Sequence, residues 1–329
     1  MPHQNRVVRA VALIIISCAL STSPSALAQA FPSKPIRLVT PFPAGSGADL
    51  LDRPMAEHMS KTLGQPVILD SRPGGGGVVA SEYVKSQPAD GYTMYHASNA
   101  LISQSLRKDA RTDIKRDFSP IGPIAYVPAV LAVNVDTGIK TLKELLERAR
   151  ANPGKLNYAS YGVGSGAHVF MELLKQEARV FIVHIPYQGA AQAALDTAAG
   201  RVEMTLSVPP VIRPFVASLG GNGRLQMLAV GSAERAPMLP EVPGMRESGF
   251  PNIDFRLWGG LVGPARMPSE IVDTLARAKD AAFKDPKVLE PTERAGQTPL
   301  YGGPKEFAQI IDREYDATVK LIKAGVKIE

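Results

Sequence analysis

The chain has one cysteine, Cys18, in 329 residues. An internal disulfide and a zinc–thiolate centre are thereby excluded, and a thiol nucleophile too if the segment around Cys18 is removed. Trp258 is the only tryptophan and aromatics make up 6% of the chain, so nothing suggests the basic stripe with aromatic partners that nucleic acid demands. No apolar run approaches the ~20 residues of a spanning helix. His3, His58, His96, His168 and His184 never fall at metal-ligand spacings. GxSxG, HExxH and P-loop sequences are missing, and two glycine-rich turns lack the third glycine of the dinucleotide pattern, with Leu50 and Ala167 in its place. No catalytic residue, metal or cofactor is indicated.

What is present begins with an export signal. Residues 1–28 have a basic start with Arg6 and Arg9, an apolar run Ala10 to Leu20 and a small-residue end, Ala26-Leu27-Ala28, so cleavage after Ala28 into the periplasm is expected. Ile15-Ile16-Ser17-Cys18 loosely resembles a lipobox, but too little apolar sequence precedes it for it to displace that cleavage site. Taking Arg6 and Arg9 from the 37 bases leaves 35 against 31 acids, a formal charge of +4 spread along the chain. A mild positive field of this kind favours small anions in a focusing cleft.

About 300 residues then remain, too many for one ordinary core and suited to two lobes. Short β-branched runs alternate with amphipathic stretches, which predicts mostly parallel sheets flanked by helices, an α/β architecture. Ile36 to Thr40 reads as a strand and Ala48 to Leu63 as a helix with Leu51, Met55, Met59 and Leu63 on one stripe. Strands at Pro66 to Leu69 and Tyr92 to His96 complete a βαβαβ half. Val127 to Val135 reads as a crossing to a second lobe. That lobe holds a capping box at Thr141 and Glu144, strands near Leu156 to Ser160, Val180 to His184, Val202 to Ser207 and Leu225 to Val230, and helices Ala167 to Glu177 and Ala190 to Ala199. A return crossing near Phe255 to Val262 precedes helices at Ser269 to Lys284 and Pro304 to Ala324. The expected division is lobe 1 at 29–131 and 257–329 and lobe 2 at 132–256, two crossings that would act as a hinge.

Two turns could carry chemistry. Pro41-Phe42-Pro43-Ala44-Gly45-Ser46-Gly47-Ala48-Asp49 joins the first strand to its helix, and Ser160-Tyr161-Gly162-Val163-Gly164-Ser165-Gly166-Ala167-His168 does the same in the second lobe. Glycines let backbone approach a ligand, and amides at a helix start bind oxyanions without a charged side chain. Loops at strand carboxyl ends, one per lobe, would face each other across a cleft. The plainer alternative makes Ser46 a helix cap with Asp49 closing its box, and His168 satisfied within its own first turn. Asp49 would orient its loop, since a carboxylate repels an anion. Trp258 and Tyr187 could stack on a ligand, though core packing is the simpler role.

Together with Phe31-Pro32-Ser33-Lys34-Pro35-Ile36-Arg37, Gly64-Gln65-Pro66-Val67, Arg72-Pro73-Gly74, Pro88-Ala89-Asp90-Gly91-Tyr92-Thr93, Pro153-Gly154-Lys155-Leu156-Asn157-Tyr158-Ala159-Ser160, His184-Ile185-Pro186-Tyr187 and Leu239-Pro240-Glu241-Val242-Pro243, the two loops resemble the Bug-type receptors of tripartite tricarboxylate transporters across the whole mature chain. The resemblance implies a two-lobed periplasmic-binding-protein fold closing on a carboxylate, partly through backbone amides and waters. It points to Phe42, Ala44, Ser46, Gly47 and Ser98 on one side and to Ser160, Gly164, Ser165, Ala167, His168, Tyr187 and Ser207 on the other. Departures are Ser46 in place of a common second glycine, Gly166 and Ala167 in place of hydroxyl residues, and Ser207 in place of a frequent Asp. The last disfavours a ligand ammonium and so an amino acid.

The expected function is capture of a dicarboxylate, tricarboxylate, hydroxy acid or aromatic acid by a monomer that delivers it to membrane permease subunits. A sensor docking on a membrane signalling partner is the alternative, and an exported hydrolase or isomerase using unrecognised carboxylates is a third.

Overall fold

Two mixed β-sheets, each flanked by helices, organise the chain from Lys34 onward, which forms one compact unit. The computed structural model describes residues 31–323 and 325–327. The export signal with Cys18 lies outside the described residues, as does Ala324 at the end of the last expected helix.

The first half follows from local pattern. Strand β1 (Ile36–Thr40) is buried at four of five positions, as a strand covered on both faces must be. Helix α1 (Asp49–Leu63) buries Leu51, Met55 and Met59 on the stripe read from spacing, and ends at Gly64 in the left-handed region (φ 68°). Strand β2 (Val67–Ser71), a glycine turn at Gly75–Gly77, helix α2 (Val78–Lys85), β3 (Thr93–Ser98), α3 (Asn99–Ser105) and α4 (Ile114–Asp117) follow. β1 pairs with β2 and β3 in parallel.

Strand β4 (Phe118–Val127) escapes the sequence reading because Pro120 and Pro123 interrupt it and proline cannot donate to a ladder. The sheet accommodates both through register shifts against β10 (Leu257–Pro264), where Val262 faces Pro120 and Gly260 faces Pro123. β10 runs antiparallel to β3 and β4, and the two-residue β11 (Thr298–Pro299) closes the order β11-β4-β10-β3-β1-β2.

The run Val127 to Val135 is mostly not a linker. β4 ends at Val127 and β5 (Val130–Asn134) already pairs in the second sheet, so only Pro128 and Ala129 pass between them. The expected lobe boundary after residue 131 thus falls inside a strand buried at every position. Then come α5 (Leu142–Ala151), whose start is capped by Thr141 Oγ1 accepting from the Glu144 amide, β6 (Asn157–Ser160), α6 (Gly166–Ala178), β7 (Val183–Pro186), α7 (Ala190–Ala198), β8 (Met204–Ser207), the short α8 (Pro209–Ile212) and β9 (Leu225–Val230). The order is β7-β6-β8-β5-β9, with β6, β7 and β8 parallel and β5 antiparallel to both neighbours.

Each sheet is therefore a parallel βαβ block extended by the antiparallel strands that carry the crossings. Helices α9 (Ser269–Ala282), α10 (Pro286–Arg294) and α11 (Pro304–Lys323) return to the first sheet, with Phe307 and Ile311 packing beside Trp258, Tyr95 and Val39. A second core gathers Leu131, Tyr158, Phe170, Met171 and Leu174. Among the described residues no helix is long and apolar enough to cross a membrane. The parallel blocks share one feature that bears on function: β1, β2, β3, β6 and β8 end at Thr40, Ser71, Ser98, Ser160 and Ser207, hydroxyl residues at strand carboxyl ends.

Candidate functional site

The loop after β1 is held by its own backbone and by partners far away in sequence. The Gly45 amide donates to Asp49 Oδ2 at 3.1 Å, and Arg53 neutralises the same carboxylate at 3.0 Å. Asp49 thus orients the loop, as expected. The Ser46 cap is not made: the residue before α1 is Ala48, with no side-chain cap, and Ser46 Oγ is buried without a hydrogen-bond partner. Its neighbour Gly47 donates to nothing among the described residues, while its carbonyl accepts from the buried Gln297 Nε2 at 3.0 Å. Phe42 sets its ring edge-on to His96 at 5.5 Å, and His96 Nδ1 lies 2.8 Å from both carboxylate oxygens of Asp52. Ser71 Oγ donates to the Phe42 carbonyl. The sequence gives Gln297, Asp52 and Ser71 no role and reads His96 only as a histidine outside metal-ligand spacing; only the fold brings residues 297 and 47 together.

The loop after β6 uses its side chains on itself. Ser160, fully buried, accepts from the Gly162 amide and donates to the Gly162 carbonyl, both at 3.1 Å, and shares a 2.6 Å hydrogen bond with His184 Nε2. Ser165 caps α6 by accepting from the His168 amide. His168 Nδ1 accepts from the Gly164 amide at 3.0 Å, so that nitrogen carries no proton. Glycines suit this path, since Gly162 and Gly164 sit at φ 130° and 74°. Burial lowers the His168 pKa; it also pushes that of His184 down to about 4, with His168 beside it adding to the effect. The plainer reading of His168, satisfied within its own turn, describes its Nδ1.

Two points join these loops to the opposite sheet's residues. A Cβ on Gly47 would stand 3.5 Å from Val208 Cγ2, and one on Gly76 would stand 3.1 Å from the Val163 carbonyl. The glycine turn after β2 therefore abuts the second loop, tied by Gln104 Nε2 donating to the Gly76 carbonyl. Gly47 and Val208 adjoin Ser46 and Ser207, and the Ser207 hydroxyl, like that of Ser46, is buried and unpartnered. Ser98 is half-buried at the end of β3 and Ala44 is exposed. Gly164 and Ala167 are buried in the second loop. The Tyr187 hydroxyl donates to Asp196, and its amide to the Ser160 carbonyl. Trp258 packs on Phe307 in the core, as the simpler reading has it.

Electrostatically the arrangement is amide and hydroxyl rather than cation. None of the twelve expected contacts is Lys or Arg, and both imidazoles beside the second loop are held neutral. Among the described residues the amides of Gly47 and Ala48 before α1, and of Gly166 at the start of α6, make no hydrogen bond. These are the ends at which a helix presents donors to an oxyanion. No cluster of three or more His, Cys, Asp or Glu among the described residues could hold a metal. Gly166 stands against a hydrocarbon: a Cβ there would overlap the Leu257 side chain and meet Tyr161 Oη at 3.1 Å. Two surface hollows, of about 300 and 590 Å³, lie against β9 and α5 and include none of the expected contacts.

Comparison with known proteins agrees with this fold. The family described as the tripartite tricarboxylate transporter family receptor matches residues 51–326. A UPF0065 protein of a Pseudomonas species is 34% identical over 318 residues, covering 95% of this chain and 93% of its own. An R. palustris protein solved with adipate superposes at a TM-score of 0.82 with 30% identity, over 89% of this chain and 98% of that one. The periplasmic binding protein BugD does so at 0.82 with 29% identity, over 90% and 99%.

Proposed function

We propose that this chain, which belongs to the tripartite tricarboxylate transporter receptor family, captures a small carboxylate between the loop after β1 and the loop after β6 and hands it to membrane permease subunits. The observation that carries the reading is the pair of buried hydroxyls, Ser46 Oγ and Ser207 Oγ. Each lacks a partner, and they flank the Gly47–Val208 contact between the two sheets. Leaving a buried hydroxyl unpaired costs about 1–3 kcal/mol, so two at one junction suit a ligand that supplies their hydrogen bonds.

The donors favour an anion, and their distribution favours one with two ends. Free amides stand at the starts of α1 and α6, on opposite sheets, each worth the positive end of a helix dipole but not a full charge. A dicarboxylate divides its charge between them. A compact tricarboxylate would bring three charges to a site without a cationic side chain. Leu257 beside Gly166 adds an apolar wall suited to a hydrocarbon spacer. Phe42, Ala44, Ser46, Gly47, Ser98, Ser160, Gly164, Ser165, Ala167, His168, Tyr187 and Ser207 form the proposed contact set, with Ser160 and Ser165 acting by shaping the loop. The residues ahead of the described chain direct the protein to the periplasm in this reading, and the lobes, divided near Ala129 and before Leu257, close as a hinge.

A thermal-shift panel of aliphatic diacids, hydroxy acids, tricarboxylates and aromatic acids tests the proposal. A bound acid at 100 times its dissociation constant stabilises the protein by about 2.7 kcal/mol. A flat response across the panel, with native mass spectrometry showing no co-purified acid, would sink it. Deleting the gene should abolish uptake of the acid; loss of a transcriptional response with uptake intact would favour the sensor instead.

A further inference from the structure

Three rings are piled beside the second loop. Tyr158 of β6 stacks on His184 of β7 at 4.7 Å and 16°, and His184 stacks on His168 of α6 at 4.3 Å and 10°. Two of the three hold the loop by hydrogen bonds, His184 through Ser160 and His168 through the Gly164 amide. Ser160 in turn holds Gly162. Both left-handed glycines of the loop are therefore fixed, at one or two steps, by an imidazole of the pile.

The Gly164 bond exists only while His168 Nδ1 is unprotonated. A proton there faces one N–H with another, and the bond is lost. The surroundings resist that proton. The charged and titratable groups facing the pair are Glu172 and Lys175 of α6 and Tyr158 of β6. The Tyr158 hydroxyl donates to Glu172 Oε1 at 2.8 Å, and Lys175 Nζ pairs with the same oxygen at 2.5 Å. Carboxylate and ammonium largely offset each other, which leaves burial as the main influence, and it keeps both imidazoles neutral at ordinary pH. Two imidazolium rings at 4.3 Å would also repel, so the rings titrate as a coupled pair.

We infer that His184 is a positioning residue: by covering His168 and holding Ser160 it keeps the loop from Ser160 to Ser165 in its binding shape, and acid releases that shape by protonating His168 Nδ1, the acceptor for the Gly164 amide. The inference rests on the reading of this loop as one half of the carboxylate site. It adds a residue that touches no ligand and a condition, acidity, under which the receptor lets go.

The test follows the loop itself, in ¹⁵N-labelled mature protein, by NMR from pH 8 downward, with far-UV circular dichroism confirming that the fold persists. In the wild type the Gly164 amide and His168 Nδ1 signals should shift together, with a midpoint below the ~6.5 of a free imidazole. In His184→Ala, which uncovers His168, the midpoint should rise by about one pH unit, and His184→Phe, which restores the ring, should bring it back. His168→Gln, whose amide oxygen accepts without titrating, should abolish the response. A Gly164 amide indifferent to pH, or one unmoved by His184→Ala and by His168→Gln, overturns the inference. Adipate is then titrated into wild type and His184→Ala at the same acidic pH, so that protonation of adipate cancels; a severalfold weaker affinity in the variant is expected. If the loop titrates as described while adipate and the wider acid panel do not bind, the positioning role stands and the carboxylate reading fails. If adipate binds both proteins equally, the reading stands and the positioning role fails.

Discussion

Gly47 and Val208 meet across the junction of the two sheets: a Cβ added to Gly47 would lie 3.5 Å from Val208 Cγ2 and within 4.0 Å of Pro210. Gly47 precedes α1 on the first sheet, and Val208 follows β8 on the second. The contact brings the donor end of one helix to the carboxyl end of the other sheet's central strand, and any ligand gripping both must respect that spacing.

Gly47→Ala should be tolerated, since the added carbon meets ordinary van der Waals contact, whereas Gly47→Leu must push Val208 and Pro210 away. Calorimetry with whichever acid the panel identifies should show at least tenfold weaker binding for the leucine variant, about 1.4 kcal/mol, and little change for the exposed-surface control Lys320→Ala. Equal affinities in all three would remove the first loop from the site.

Ser46→Ala and Ser207→Ala should move stability and affinity in opposite directions. Each deletes a buried hydroxyl that lacks a partner, so the ligand-free protein should hold steady or gain up to about 1 kcal/mol in urea denaturation. Binding should weaken, because the hydrogen bond to the acid is lost. Destabilised variants with unchanged affinity would show that these hydroxyls serve the fold.

Acid should destabilise the protein through the histidine pair. Both imidazoles have folded-state pKa values below the ~6.5 of the unfolded chain, so the unfolded state binds protons first as pH falls. Their contribution is complete above about pH 6.5 and is lost as pH falls toward about 4, the value for His184. Allowing for partial exposure, His184 accounts for about 2 kcal/mol of it. Melting temperatures from pH 7.5 to 4.5 should fall less steeply in His184→Gln; parallel curves would contradict the assignment.

Lys279 makes a separate demand on the first sheet. Its ammonium is fully buried, donates to the Pro123 and Gly302 carbonyls at 2.7 and 2.9 Å, and pairs with Asp280 at 2.6 Å. Lys279→Met would leave the two carbonyls without a donor and should cost about 3 kcal/mol by chemical denaturation. A change under about 1 kcal/mol would mean that neighbouring groups reorganise to satisfy them.

Much of the architecture was legible along the chain because it is locally encoded. The Leu51–Met55–Met59 stripe, the Thr141 cap, the β-branched run of β1 and the short apolar run of β9 depend on neighbours a few residues away, and so does the placing of two glycine turns between strand and helix. β4 was hidden because its prolines forbid the pattern that announces a strand, and it survives only because β10 shifts register to meet it. The site divides in the same way. Sequence determined which residue types stand in the two loops and that no charged side chain is among the expected contacts. Tertiary structure decided what those residues do: that Ser46 caps nothing, that Ser160 and His168 turn inward to shape their own loop, and that His184, Gln297 and the glycine turn at Gly76 stand behind or against them. The physical reason is range. Propensity and capping act over one helical turn, whereas hydrogen bonds such as that from Gln297 to Gly47, 250 positions apart, form only once the sheets have brought the partners within 3 Å.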